Sequence, residues 1–134
     1  MGRVVKSYRD LDVWQKGVAL TNSIYLATGS FPAEEKFGLV NQMRRAAASN
    51  PSNVAEGHAR STTAEYQRFI SIAMGSVPEL ETQVIISEEL GFLADSARND
   101  LLKQLDGIGR MLRGLRQALS HRSKTRSHRH NPSP

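Results

Sequence analysis

The sequence predicts an all-α protein, an antiparallel up-down four-helix bundle followed by a disordered basic C-terminal tail. Three observations predict it. Four long segments place apolar residues at steps of three and four, the period of a helix packed on one side. No segment alternates apolar and polar residues as a half-buried strand does. The connections are short, which makes neighbouring helices antiparallel, and 134 residues suit a single domain.

The first helix is predicted from about residue 11 to residue 28. Asp10 is the predicted N-cap, because its carboxylate can accept hydrogen bonds from free amides of the first turn. Gly29 is the predicted stop. The predicted core positions are Leu11, Trp14, Val18, Thr21 and Tyr25.

The second helix is predicted to begin at FPAEEKFGLV, with Pro32 in its first turn, where the missing N–H costs nothing. It ends between Gly57 and Ser61. Pro51 lies in its middle, so residues 44–57 form either a kinked helix or a loop. The predicted core positions are Phe37, Val40, Met43, Ala47, Pro51 and Val54.

The third helix opens at Thr62, and Glu65 three residues later completes a capping-box pattern. Gly75 and Pro78 lie inside it, so a kink or break is expected there, and Gly91 ends it. The predicted core positions are Tyr66, Phe69, Ile70, Ala73, Val77, Leu80 and Val84.

The fourth helix starts near Asp95 or Ser96 and has the most regular period, with apolar steps alternating between four and three. Its core positions are Leu101, Leu105, Ile108, Leu112, Leu115 and Leu119. Residues 120–134 contain no aliphatic residue and are predicted to be disordered. The predicted organisation is an N-terminal arm (1–9), the bundle (10–119) and the basic tail (120–134).

The basic character of the chain is concentrated at its C-terminal end. The formal net charge is +5, but residues 1–97 balance at −2 and residues 98–134 at +7. Such asymmetry favours a polyanionic partner, RNA or DNA, and the alternative is a merely solubilising tail. The residues predicted to contact phosphate are Arg110, Arg113, Arg116, Arg122, Lys124, Arg126 and Arg129.

The second helix carries a polar stripe opposite its apolar one. Its Ser, Asn and Gln side chains favour a partly buried polar network or a subunit interface, while a solvated face and a ligand site remain open alternatives. The residues assigned to structure or interface are Gln42, Arg44, Arg45, Ser49, Asn53 and Glu56.

The sequence offers little for catalysis. It has no cysteine, and no glutamate is followed three residues later by histidine, the pattern that carboxylate metal sites in bundles use. His58 is expected to be a surface or capping residue. We therefore predict no enzyme, no cofactor and no metal.

No apolar run resembles a signal peptide or a membrane span, so we expect a cytoplasmic protein. The aromatic residues expected in the core or an interface are Trp14, Phe31, Phe37, Tyr66 and Phe69.

Four motifs together carry a resemblance to a known family. They are Asp-Leu-x-Val-Trp at 10–14, Phe-Pro-x-x-Glu at 31–35, Arg-Arg-Ala at 44–46 and Pro-Ser-Asn-x-Ala-Glu-Gly at 51–57. The chain resembles, from Tyr8 to Leu93, the four-helix-bundle family named for the intervening sequence of 23S ribosomal RNA genes. That family has no settled activity. It is similar to the accessory protein of diversity-generating retroelements, a homopentamer whose basic surface binds nucleic acid and a reverse transcriptase.

The resemblance implies a homo-oligomer, most simply a pentamer, with nucleic acid and a reverse transcriptase or another protein as partners. It also implies a helix that continues through Pro51. Two positions depart from the family pattern: Asn50 replaces an aliphatic residue, and Met74 replaces an arginine. The sequence thus predicts a non-enzymatic binding protein, with a scaffold that has no nucleic-acid role as the alternative.

Overall fold

A computed structural model, which describes the backbone of residues 4–130 and the side chains of residues 4–122, contains four α-helices and, among the described residues, no strand. The helices are α1 (Asp12–Thr28), α2 (Leu39–His58), α3 (Thr63–Glu89) and α4 (Asp95–His130). Short 3-10 turns at Tyr8–Asp10 and Ala33–Glu35 precede α1 and α2. The predicted all-α bundle is confirmed.

Each helix packs antiparallel to its neighbour in sequence, and α4 closes the bundle against α1. The backbone of Gly17 in α1 lies against Asn50 in α2, whose side chain reaches Ala73 in α3. One turn further along α3, Val77 faces Gly109 of α4. Apolar side chains from all four helices form one continuous core.

The α1 core stripe lies one residue before the predicted one. The buried residues are Val13, Gly17, Leu20, Ile24 and Thr28. Of the predicted positions, Trp14 is partly buried and Tyr25 is 49% exposed. Two stripes with the same spacing were present, and the true one contains a glycine and a threonine that an apolar pattern does not reveal.

The predicted cap of α1 is also wrong. The Asp10 carboxylate accepts from the amides of Lys6 and Ser7, where it completes a capping box around the 3-10 turn. Leu11 is the N-cap of α1 and provides no side-chain hydrogen bond. The predicted stop holds, since Gly29 is the C-cap.

Helix α2 starts later than predicted and is continuous through its proline. Pro32 precedes the 3-10 turn, and α2 begins only at Leu39. Phe37 therefore lies between the two elements and is 85% exposed, so its predicted place in the core is wrong. Pro51 is buried inside the helix, which confirms helix rather than loop.

Helix α3 runs unbroken through Gly75 and Pro78. The Thr62 hydroxyl accepts from the Glu65 amide at its start, and every predicted core position is buried. At its end Gly91 has φ +80°, and its amide and that of Phe92 bond back to carbonyls of the last turn. This is the Schellman geometry, which favours glycine.

Among the described helices, α3 alone is long and apolar enough to cross a membrane, by length and composition only. Its apolar stripe, however, is buried against α2 and α4, as in the core helix of a bundle.

Helix α4 buries its predicted seam, with Leu115 partly exposed, and continues to His130. The predicted disorder of residues 120–134 is therefore not confirmed. Between Gly114 and Pro132 the chain has neither glycine nor proline, so no breaker interrupts the helix. Residues 131–134 lie outside the described part.

Candidate nucleic-acid interface

Arg44 joins α2 to the end of α1. Its Nε donates to the Thr28 hydroxyl (3.0 Å) and its Nη2 to the Tyr25 carbonyl (3.3 Å). The guanidinium carbon also lies 4.4 Å from the centroid of the Tyr25 ring. Arg44 therefore provides hydrogen-bond donors to the last turn of α1, where backbone carbonyls lack partners within the helix.

The polar stripe of α2 borders a shallow groove with α3. Asn53 donates to the carbonyl and hydroxyl of Ser49, so both side chains are tied to their own helix. The groove is lined by Asn41, Gln42, Arg45, Ala46, Ser49 and, from α3, Glu79. Glu56 is exposed two turns beyond Ser49. The stripe is thus accessible, and we call this surface the α2–α3 groove.

Asn50 is a buried polar residue whose role the sequence did not reveal. Its Nδ2 donates to the Ala73 carbonyl and the Ser76 hydroxyl, both at 3.1 Å, and the residue is 2% exposed. Its Oδ1 has no hydrogen-bond partner among the described residues and lies against Gly17. Asn50 therefore links three helices beside the proline.

Pro51 and Gly57 act in packing. A Cβ on Gly17 would lie 3.1 Å from the Pro51 Cβ, so α1 and α2 approach closely there. A Cβ on Gly57 would lie 2.8 Å from the Cβ of Phe69, so α2 and α3 are also close. The motif that contains both residues fixes the spacing of three helices.

The predicted basic surface lies on the outer side of α4, which has no carboxylate after Asp106. Arg113 and Arg116 line a polar groove together with Gln67, Ser71, Gln117 and Ser120. We call it the α3–α4 groove. Arg110 is exposed and forms an ion pair with Asp106 (3.1 Å), which partly neutralises its positive charge.

Arg122 is exposed and close to the start of α3. Burial raises the pKa of the Tyr66 hydroxyl above its ordinary value of 10.0, and the positive charge of Arg122 partly offsets the rise. His58 meets the Tyr66 ring edge-on, with 5.8 Å between centroids. The side chains of Lys124, Arg126 and Arg129 lie outside the described residues.

Sequence reasoning missed two further arginines, Arg60 in the α2–α3 turn and Arg68 in the second turn of α3. The guanidinium carbons of Arg60 and Arg68 lie 4.8 Å and 5.1 Å from the centroid of the same ring, Phe69. Both arginines are exposed. In the sequence, Arg60 lies four residues after Glu56, the last residue of the polar stripe.

Charge is divided between the two ends of the bundle. Residues 20–48 and 76–106 form one end, with nine carboxylates and five Lys/Arg side chains, a balance of −4. The described remainder, 4–19, 49–75 and 107–122, has four carboxylates and nine Lys/Arg side chains, a balance of +5. The α3–α4 groove and Arg60 thus belong to the basic end. Among the described residues no three His, Asp or Glu side chains are grouped to hold a metal ion.

A family model described as "23S rRNA-intervening sequence protein" matches residues 9–114, which is most of the chain. The chain belongs to this family. The matched region covers α1 to α3 and α4 as far as Gly114. It therefore includes Arg113 and the polar stripe of α2, and it stops before Arg116.

A solved structure of similar fold supports the four-helix fold of this chain. It is a protein of unknown function from the S23 ribosomal protein family of Bacteroides thetaiotaomicron VPI-5482, with 15% identity and a TM-score of 0.71. The alignment covers 78% of this chain and 95% of that one. A search of curated proteins gives no significant match. Neither the family description nor the structural neighbour carries an enzymatic name.

Proposed function

We propose that this intervening-sequence protein is a non-enzymatic, homo-oligomeric protein that binds RNA or DNA through the basic end of its bundle. The observation that carries the proposal is the outer side of α4 after Asp106. There Arg113 and Arg116 line a groove without a carboxylate, and Arg122 follows. Guanidinium groups in such a place can donate to phosphate oxygens without first breaking an ion pair. A cytoplasmic location belongs to the same proposal.

Binding of this kind is electrostatic and salt-dependent. Each phosphate contact contributes about 0.9 to the slope of log affinity against log salt on duplex DNA, and about 0.7 on single strands. Fluorescence anisotropy of a labelled RNA hairpin and a matched DNA duplex, from low to physiological salt, measures it. We expect Arg113→Gln/Arg116→Gln to reduce the slope by about 1.4 to 1.8.

The matched control is Lys36→Gln/Lys103→Gln, which removes the same charge from exposed positions at the acidic end. It should leave the slope almost unchanged. If the unmodified protein binds neither nucleic acid at low salt, the proposed function is wrong. If both double variants lose the same affinity, net charge rather than the α3–α4 groove is responsible.

The homo-oligomer is proposed to form through the α2–α3 groove. Ile72 and Ile86 are 45% and 41% exposed, and each lies seven residues from Glu79, so the three share one side of α3. Apolar side chains beside a groove of mainly uncharged hydrogen-bonding groups, with one arginine and one glutamate among them, suit a surface that a second copy covers. Five subunits is the number that the family resemblance implies.

Analytical ultracentrifugation tests the oligomer. Ile72→Lys/Ile86→Lys should shift the protein to monomer, because two charges would enter the proposed interface. Leu26→Lys, at a site 83% exposed on α1, is the control and should leave the oligomer intact. A monomeric unmodified protein would exclude this part of the proposal.

The second candidate is a protein-interaction scaffold, with a reverse transcriptase or another protein as partner. The same exposed isoleucines favour it, because they suit any apolar partner surface. It predicts no nucleic-acid binding at low salt. The anisotropy measurement therefore separates the two candidates.

A further inference from the structure

Two arginines outside the proposed α4 surface are held on one aromatic ring. Arg60 follows the end of α2, Arg68 lies in the second turn of α3, and both guanidinium groups pack on Phe69. Phe69 is only 8% exposed, so the ring itself is not available to a ligand. The arginines, by contrast, are exposed, with Arg68 four residues from Ile72 at the border of the proposed oligomer interface. Their positive charge, not the aromatic ring, faces outward.

Neither arginine forms an ion pair within the part of the chain that the structure describes. A cation near an aromatic ring gains roughly 0.5–1 kcal/mol at an exposed site. The contact restrains the side chain, so less conformational entropy is lost when a phosphate binds. The N–H donors that do not face the ring stay available for that phosphate.

The two arginines adjoin the α3–α4 groove. Arg68 is next to Gln67 and three residues from Ser71, the two α3 residues that line that groove. Residues three apart are neighbours on a helix surface. From Tyr66 to Pro78, α3 contains no carboxylate. Glu65, in the first turn of α3, is exposed and lies three residues from Arg68. The path without carboxylates therefore begins in the second turn and runs from Arg113 to Arg68, with Arg60 and Glu65 at its edge.

We propose that Arg60 and Arg68 extend the binding surface across α3, and that the ligand of this path is a single-stranded segment of nucleic acid. The inference rests on the proposed function and specifies its ligand. A flexible strand can follow the convex surface of a helix, whereas a duplex has a persistence length of about 50 nm and stays straight. Unpaired bases also expose their edges to the amide and hydroxyl groups of Gln67 and Ser71.

The test compares a fluorescein-labelled single-stranded RNA with the same sequence in a duplex, over a salt series, with full-length protein. Arg60→Gln/Arg68→Gln should reduce the single-strand slope by about 1.4 and weaken binding about tenfold or more at low salt. Arg60→Lys/Arg68→Lys keeps the charge and should retain most of the slope. Lys36→Gln/Lys103→Gln is the control for net charge.

The outcomes separate this inference from the proposed function. If the unmodified protein binds no nucleic acid, both the proposed function and this inference are wrong. If it binds, but Arg60→Gln/Arg68→Gln weakens binding no more than the control does, only the path across α3 is wrong. Duplex binding as tight as single-strand binding removes the single-stranded ligand. Both arginines are exposed, and circular dichroism of each variant verifies that the helices persist.

Discussion

Asn50 shows how one buried amide can connect helices. Replacing it with alanine removes two hydrogen bonds to α3 and leaves a cavity beside Gly17. We expect Asn50→Ala to lower the free energy of unfolding by about 2–3 kcal/mol. Asn53→Ala is the control, because Asn53 bonds only within α2, and should cost less than about 1 kcal/mol. Urea unfolding measures both, and equal losses would contradict the role assigned to Asn50.

Tyr66 makes stability depend on alkaline pH. Burial raises the pKa of its hydroxyl in the folded protein above 10.0. The folded state therefore holds the proton more tightly, and this contribution to stability is complete below pH 10 and is lost as pH rises through the folded pKa. Tyr66→Phe should flatten the fall in stability above pH 10.

Absorbance of the tyrosinate ion provides an independent measurement. The chain has three tyrosines, and ionisation of Tyr66 should appear as a late step, above pH 10, in the folded protein. Tyr66→Phe should remove that late step. A late step that survives the substitution would assign it to another tyrosine.

Among the elements, the contrast between Gly57 and Gly75 is a test of helix packing. A Cβ at Gly57 would lie 2.8 Å from the Cβ of Phe69, so α2 and α3 would have to separate. Gly57→Ala should cost about 1–3 kcal/mol. A Cβ at Gly75 meets nothing within 4 Å, so Gly75→Ala should add up to about 1 kcal/mol of helix stability. Thermal unfolding measures both variants. Shifts of the unfolding temperature in the same direction would contradict this packing.

The sequence predicted the buried sides of α3 and α4 closely, because large apolar side chains mark them. In α1 the buried side includes Gly17 and Thr28, so the neighbouring stripe was chosen. Arg60 and Arg68 are eight residues apart and separated by a turn, and only the folded position of Phe69 brings them together. Patterns within one helix could be predicted, whereas contacts between helices could not.

For the whole molecule, the C-terminal extension of α4 carries a testable share of the proposed binding. Shortening the chain after Arg122 removes Lys124, Arg126 and Arg129 but keeps Leu119, the last buried residue of the seam. If all three contact phosphate, the salt slope should fall by about 2.1 on single strands. Replacing the three with glutamine in the full chain should have the same effect. Unchanged slopes in both variants would limit binding to the described surface.

The division of charge between the two ends also gives the protein an electric dipole along the bundle axis. In the field of a polyanion such a dipole turns the positive end forward before any contact forms, so a larger fraction of encounters is productive. The Debye length is about 10 Å at 0.1 M salt, and a helix of 27 residues is about 40 Å long. This steering should therefore speed association at low ionic strength and largely vanish under physiological conditions.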